Sequence, residues 1–228
     1  MPTHIALVGG DEFTEGCEEM DSSILAMTGV TNPSLVVIPT AAAQENPSKA
    51  AANGVDYFSR LGAKASPLMV LATTDANNST LISEVDSADI IYFTGGNPSH
   101  LLDTLNDTLL LFKLRKALER KAVIVGSSAG AMVMGSWIRT TIWREALALA
   151  PGVAILPHHE HSFPEVVAHN LTKDSTPNLT ILGIEARTAC LGGPNHWMVT
   201  GTGRVTAYRQ GTWRHFMPGE VFTTEEGA

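Results

Sequence analysis

Cysteine is nearly absent from this chain. Cys17 and Cys190 are the only two in 228 residues, too few for a disulfide framework and too far apart for a Cys-based metal motif. Two free thiols suit a cytoplasmic protein. Long apolar runs are missing as well: none approaches the roughly 20 residues that span a bilayer. The start, Met1-Pro2-Thr3-His4-Ile5-Ala6-Leu7-Val8-Gly9-Gly10, lacks the basic n-region and long apolar h-region of a signal peptide. Positive charge is scarce, with 15 basic against 23 acidic residues and a net charge of −8. That balance argues against nucleic acid or an anionic membrane as partner. A small molecule or peptide, held by a few local cations, is the ligand class that remains.

What is present reads as one domain. The length suits a single substantial α/β core and is short for two, and no linker, repeat or low-complexity segment divides residues 1–228. Strand-like and helix-like segments alternate through the first two-thirds. Residues 5–8, 35–39, 65–70, 89–94 and 122–125 read as strands, mostly continuous apolar runs suited to burial on both faces. Residues 48–61, 98–105 and 108–120 have helical spacing, and Ser79 and Thr80 stand where a cap would precede residues 81–85. The pattern continues once more, with a strand at 153–156 and a helix at 163–171. Residues 180–184, 188–191, 197–200, 204–209, 212–216 and 221–223 then read as short strands between Gly-rich turns, a set of antiparallel hairpins. The expectation is a flavodoxin-like three-layer α/β sandwich with a mostly parallel sheet and a hairpin-rich C-terminal part, which also offers a surface for a homodimer.

The most informative stretch is Val123-Ile124-Val125-Gly126-Ser127-Ser128-Ala129-Gly130-Ala131. A β-branched strand enters Gly-x-Ser-x-Gly and a helix leaves it, the layout of a nucleophile elbow centred on Ser128. Glycines flank the serine because the turn leaves no room for a Cβ. The Ala129 amide then points where an oxyanion forms, aided by the helix dipole. A second strand-turn-helix, Ile90-Ile91-Tyr92-Phe93-Thr94-Gly95-Gly96-Asn97-Pro98, offers the Gly96 or Asn97 amide as the other half of an oxyanion hole. It lacks the glycine fingerprint and the lysine of a nucleotide loop.

A serine hydroxyl needs a base. In Leu156-Pro157-His158-His159-Glu160-His161, His158 directly follows a strand that points the same way as the one before Ser128. His159 and His161 share its loop and are alternatives. A metal reading of this loop is disfavoured because the spacing is wrong for zinc and no second cluster completes a site. The chain order of α/β-hydrolases would instead require His196 or His215 with Asp174 or Glu185. Neither histidine has the strand-end context of His158.

Together, Gly-Gly-Asn at 95–97, Gly-x-Ser-Ala-Gly-Ala at 126–131 and Pro-His at 157–158 resemble the serine peptidase family of aspartyl dipeptidase and cyanophycinase. Residues 138–141 and 179–184 are also similar to that family, so the resemblance covers nearly the whole chain. It implies a domain similar to class I glutamine amidotransferases, with serine in place of their cysteine. It further implies Ser128 as nucleophile, His158 as base, Gly96 and Ala129 amides as oxyanion donors, and substrates with a peptide bond next to aspartate. No metal or organic cofactor is implied.

The acid is the point of departure. Where aspartyl dipeptidase has a glutamate after the strand, this chain has Ala186, with Glu185 one residue earlier and so turned to the other face. Cyanophycinase takes its acid between Ser and His, where Glu145 stands. Glu160 reproduces the His-x-Glu arrangement of the amidotransferases and is the preferred choice, ahead of Glu185 and Glu145. Its task would be to orient His158 and stabilise the imidazolium. For an aspartate side chain, Arg139, Arg144, Arg187 and His100 are candidate cations, and Asn97 is a candidate substrate contact. Asn97-Pro98 replaces the Asp-Gln of cyanophycinase-like sequences, which favours a small peptide over the polymer. Trp137, Trp143, Trp197 and Trp213 read better as packing residues than as a pocket lining. The resulting expectation is a serine exopeptidase or dipeptidase with aspartate preference. A cyanophycinase-like peptidase or other amidase is the enzyme alternative, and a non-catalytic ligand-binding protein is the alternative from another class.

Overall fold

The computed structural model describes residues 4–173, 178–193 and 195–224. Asp174 lies outside them. In chain order the elements are β1 (Ile5–Val8), α1 (Glu18–Ala26), β2 (Ser34–Ile38), α2 (Pro47–Arg60), β3 (Lys64–Pro67), α3 (Thr73–Ala76), β4 (Ile90–Phe93), α4 (Pro98–Leu105), α5 (Leu109–Glu119), β5 (Val123–Ser127) and α6 (Ala129–Met134). They continue with β6 (Trp137–Arg139), β7 (Trp143–Glu145), β8 (Val153–Leu156), α7 (Pro164–Lys173), β9 (Thr180–Ile184), β10 (Thr188–Gly192), β11 (His196–Gly201), β12 (Val205–Arg209), β13 (Thr212–Phe216) and β14 (Val221–Thr223). Short 3-10 turns occupy Thr40–Ala42, Leu81–Asp86 and His159–His161.

The main sheet has the order β3-β2-β4-β5-β1-β10-β11-β14. Its first five strands are parallel, and β10, β11 and β14 extend it antiparallel. The central strands IALV, IIYF and VIVGS are buried throughout, because helices cover one face and a second sheet with further helices covers the other. One apolar core, with Val8, Met20, Tyr57, Phe58 and Tyr92, lies between the sheet and α1 and α2. The larger one, with Leu7, Phe93, Leu101, Leu114 and Ile155, fills the opposite side.

Caps set several helix starts. Asn46 accepts from the Lys49 amide at 3.1 Å ahead of Pro47, and Asn97 accepts from the His100 amide at 3.1 Å ahead of Pro98. At 81–86 the capping side chain is Asn78, not Ser79 or Thr80, and the segment is a 3-10 turn. The strand expected over 65–70 ends at Pro67, which has no amide to continue the ladder.

Two features differ from the sequence expectation. The strand at 153–156 does not extend the main sheet. It pairs parallel with β9 in a separate four-stranded sheet, β13-β12-β9-β8, packed against α7. Residues 137–145 form an antiparallel hairpin that alternation did not reveal. With three residues per strand it is too short for a readable period.

Candidate active site

The carboxyl ends of β1, β4 and β5 meet at one rim of the main sheet, where ligands of such sheets bind. Ser128 sits at the end of β5 with φ 47° and ψ −108°, a conformation held by the turn into α6. A Cβ on Gly126 would come within 2.7 Å of the Ala131 amide nitrogen, and one on Gly130 within 2.6 Å of the Phe93 carbonyl oxygen. Both glycines are therefore required by close backbone approach. The serine is half-buried and its side chain makes no capping bond. The turn from β5 into α6 is as tight as its glycines imply.

The end of β1 brings His158 to the same place. The Ser128 amide donates to the Val8 carbonyl at 3.0 Å, and the His158 amide donates to the next carbonyl, Gly9, at 2.9 Å. His158 is exposed and left-handed, φ 51° and ψ 48°. Its ring lies directly on Gly10. No hydrogen bond joins the Ser128 hydroxyl to His158 among the described residues; such bonds often tighten only around substrate.

The turn after β4 distinguishes the two oxyanion candidates. The Asn97 amide donates to the Ala41 carbonyl at 2.7 Å and the Gly95 amide to Glu12 Oε1 at 2.7 Å. The exposed Gly96 amide between them has no protein acceptor among the described residues. Gly96 has φ +136°, and a Cβ there would reach within 2.9 Å of the Ala42 nitrogen. Ala129 opens α6, where helix amides have no internal partner. Asn97 commits its amide and its side-chain oxygen to structure, which leaves only its Nδ2 for a ligand.

Glu160 makes no hydrogen bond to the His158 ring among the described residues; its Oε2 accepts from the Ala186 amide at 3.0 Å. Burial works to raise the Glu160 carboxyl, but the amides of Ala186 and Glu160 and the charges of His158 and His161 outweigh it and hold it below the usual carboxylate range. Glu185 accepts from the Arg204 Nε at 2.9 Å and the Arg204 amide at 3.1 Å. Glu145 is exposed on β7, paired in register with Trp137. None of the three hydrogen-bonds His158. His161 is exposed on the same loop with no hydrogen bond among the described residues; three other histidines lie elsewhere. His159 is buried over Gly183 with Nε2 at 2.6 Å from the Tyr208 hydroxyl, and burial lowers its pKa. His215 bonds Thr206 within a hairpin. His196 lies at the sheet end marked by Ile5 and Gly192, opposite Ser128.

One site residue escaped the sequence reading. Glu12 accepts from the Gly95 amide and, through Oε2, from the Ser127 hydroxyl at 2.7 Å, next to Ser128 in the chain. The signal was its place just after Gly9-Gly10, at the carboxyl end of β1. Among the candidate cations, Arg144 pairs with Asp103 at 2.7 Å and His100 Nε2 lies 2.9 Å from the Leu71 carbonyl. The amide of Arg187 is tied to the Gly10 carbonyl at 3.0 Å. Its exposed guanidinium has no acidic partner among the described residues.

The chain is similar to known peptidases in sequence and in fold. Peptidase E of Citrobacter koseri is 29% identical over 171 residues, covering 65% of this chain and 74% of that protein. Peptidase E of Escherichia coli K12 is 29% identical over 163 residues, covering 61% and 71%. A solved peptidase from an acI-B1 actinobacterium superposes with a TM-score of 0.85 at 27% identity, covering 98% of this chain and 97% of that one. A Listeria monocytogenes structure, TM-score 0.61 at 18% identity with 92% and 99% covered, shares the fold. The model of peptidase family S51 matches residues 5–191, and the chain belongs to that family of serine-type peptidases.

Proposed function

We propose that residues 1–228 form one domain that hydrolyses small peptides with a preference for aspartate. Ser128 attacks the carbonyl, His158 takes its proton and returns it to the leaving amine, and the amides of Gly96 and Ala129 hold the oxyanion. Water then releases the acyl-enzyme, and no cofactor takes part. The observation that carries this reading is the anchoring of Ser128 and His158 on the successive carbonyls of Val8 and Gly9 at one strand end.

Glu160 acts at one remove in this scheme. Its carboxylate fixes the His158–His161 loop to Ala186 and supports an imidazolium at His158 through charge, without a direct hydrogen bond. Missing direct contact costs rate without abolishing nucleophile chemistry. Arg187 supplies the cation for a substrate carboxylate, and Asn97 can offer its Nδ2. No helix among the described residues is long and apolar enough to cross a membrane, and cytoplasmic placement with a free peptide substrate fits that observation.

The test is a fluorophosphonate probe with the adduct located by peptide mass spectrometry, followed by a screen of Asp-Xaa dipeptides. Labelling at Ser128 that disappears in Ser128→Ala is expected. An inert wild-type protein would sink the hydrolase reading and favour a ligand-binding protein that lacks a coupled acid.

A further inference from the structure

Glu12 has no part in the proposed chemistry, yet it bonds the two turns that carry the proposed oxyanion donors. Oε1 accepts from the amide of Gly95, the residue before Gly96. Oε2 accepts from the hydroxyl of Ser127, the residue before Ser128. A single side chain from the β1–α1 loop therefore joins the turn after β4 to the elbow after β5. A Cβ on Gly95 would lie 3.0 Å from Glu12 Oε1 and 3.4 Å from the Ser128 Cβ, so the glycine leaves room for the carboxylate to approach the elbow.

The loop around Glu12 is constrained. Asp11 and Phe13 on either side have φ 57° and 63°, left-handed values that non-glycine residues hold only when their surroundings impose them. The Phe13 ring is seated against Tyr57, Phe58 and Tyr92, with centroids at 5.8, 5.8 and 5.1 Å. The Thr14 hydroxyl donates to the Asp11 carbonyl at 2.6 Å. With the backbone pinned on both sides, Glu12 turns toward Gly95 and Ser127. Both of these are donors, and a carboxylate is the side chain that accepts from two donors and offers none.

We propose that Glu12 is a positioning residue that clamps the Gly95–Gly96 turn to the Ser127–Ser128 elbow, so that the amides of Gly96 and Ala129 converge on one oxygen. This role rests on the hydrolase reading above. A negative charge beside a developing oxyanion opposes it by Coulomb's law, so geometry, and not charge, is what the residue contributes. Preorganised donors act on the transition state, and a loosened clamp should appear in the rate of the chemical step more than in binding.

Glu12→Ala removes both hydrogen bonds. Glu12→Gln keeps both, its Oε1 accepting from Gly95 and its Nε2 donating to the Ser127 oxygen, while deleting the charge. The probe is an alkyl fluorophosphonate, whose phosphoryl oxygen enters the oxyanion site whatever the peptide substrate. Its maximal inactivation rate and its half-saturating concentration are measured separately on the full chain, normalised to the fraction of Ser128 that finally labels. Glu12→Ala is expected to slow the maximal rate about 100-fold, as loss of an oxyanion donor does, with the half-saturating concentration unchanged. Glu12→Gln is expected to recover most of that rate. A labelled wild type with an equally fast Glu12→Ala overturns the clamp alone. Equal impairment in both variants assigns the effect to charge and also overturns it. A wild type that never labels overturns the hydrolase reading and this role together. Should Glu12→Ala fail to fold, Ser127→Ala removes one arm of the clamp: a slower maximal rate is expected, and a wild-type rate overturns the proposal.

Discussion

The imidazole of His158 rests on the backbone of Gly10, so closely that a Cβ at residue 10 would lie 2.9 Å from Nδ1 and overlap Cε1 and Nε2. The ring position is therefore set by a missing side chain at the end of β1. Gly10→Ala should push the ring away from Ser128 and strain a residue at φ +129°. Because small misplacements of catalytic groups cost on the order of 100-fold, kcat/KM should fall by about that factor. Circular dichroism should still report a folded protein, and unchanged kcat/KM would refute the base assignment to His158.

The elbow glycines test packing in place of chemistry. A Cβ on Gly126 would press into the backbone of Gly130 and Ala131, in a strand that is fully buried. Gly126→Ala should destabilise by roughly 1–3 kcal/mol, the usual cost of overpacking a dense interior. Urea denaturation measures it directly. No loss of stability would mean that the turn is looser than its geometry implies.

The places of several candidate residues are legible in the sequence, and those that are not have identifiable causes. Ser128, Gly96 and Ala129 announce themselves because strand, glycine and helix signals are all local. His158 is placed by the same local logic, since residues 153–156 form a strand whichever sheet they join. The contact that Glu160 makes is not legible, because Glu160 and Ala186 are 26 residues apart in sequence and meet through a side-chain-to-backbone bond. Glu12 was hidden for a related reason: its partners, Gly95 and Ser127, lie 83 and 115 residues away. The second sheet was missed because β8 and β9 are parallel, as the main-sheet strands are, and periodicity does not say which sheet a strand joins.

Glu160→Gln tests whether the carboxylate does more than anchor the loop. The Glu160 carboxyl is held below the usual carboxylate range, so it is charged at neutral pH. An anion near an imidazole favours the imidazolium that forms during the reaction. Replacing it with a neutral amide, which can still accept from Ala186, should reduce kcat at neutral pH. An unchanged kcat would show that Glu160 only anchors the loop.

Arg187 should read out substrate preference. A charge-assisted hydrogen bond contributes about 1.5–3 kcal/mol, so Arg187→Ala should weaken use of aspartyl peptides by roughly 10- to 100-fold in kcat/KM. Neutral alanyl peptides should be affected far less. Equal losses on both would remove Arg187 from substrate recognition.

Asp21 offers a stability prediction remote from the chemistry. It lies on the buried face of α1 at 1% exposure, and neither carboxyl oxygen has a hydrogen-bond partner among the described residues. Burial pushes its pKa from 3.8 up to about 7, with the charges of Glu18 and Glu12 adding. The folded state therefore holds a proton that the unfolded chain releases above about pH 4. Stability from this group is complete below that pH, is lost as pH rises toward 7, and changes little beyond. At about 1.4 kcal/mol per unit the full loss is at most about 4 kcal/mol. Asp21→Asn keeps the shape, needs no proton, and should be more stable than the parent at pH 8, with the gap narrowing toward pH 4. Urea midpoints at pH 4, 6 and 8 decide it: a gap that does not change with pH would mean that Asp21 is ionised in the folded protein.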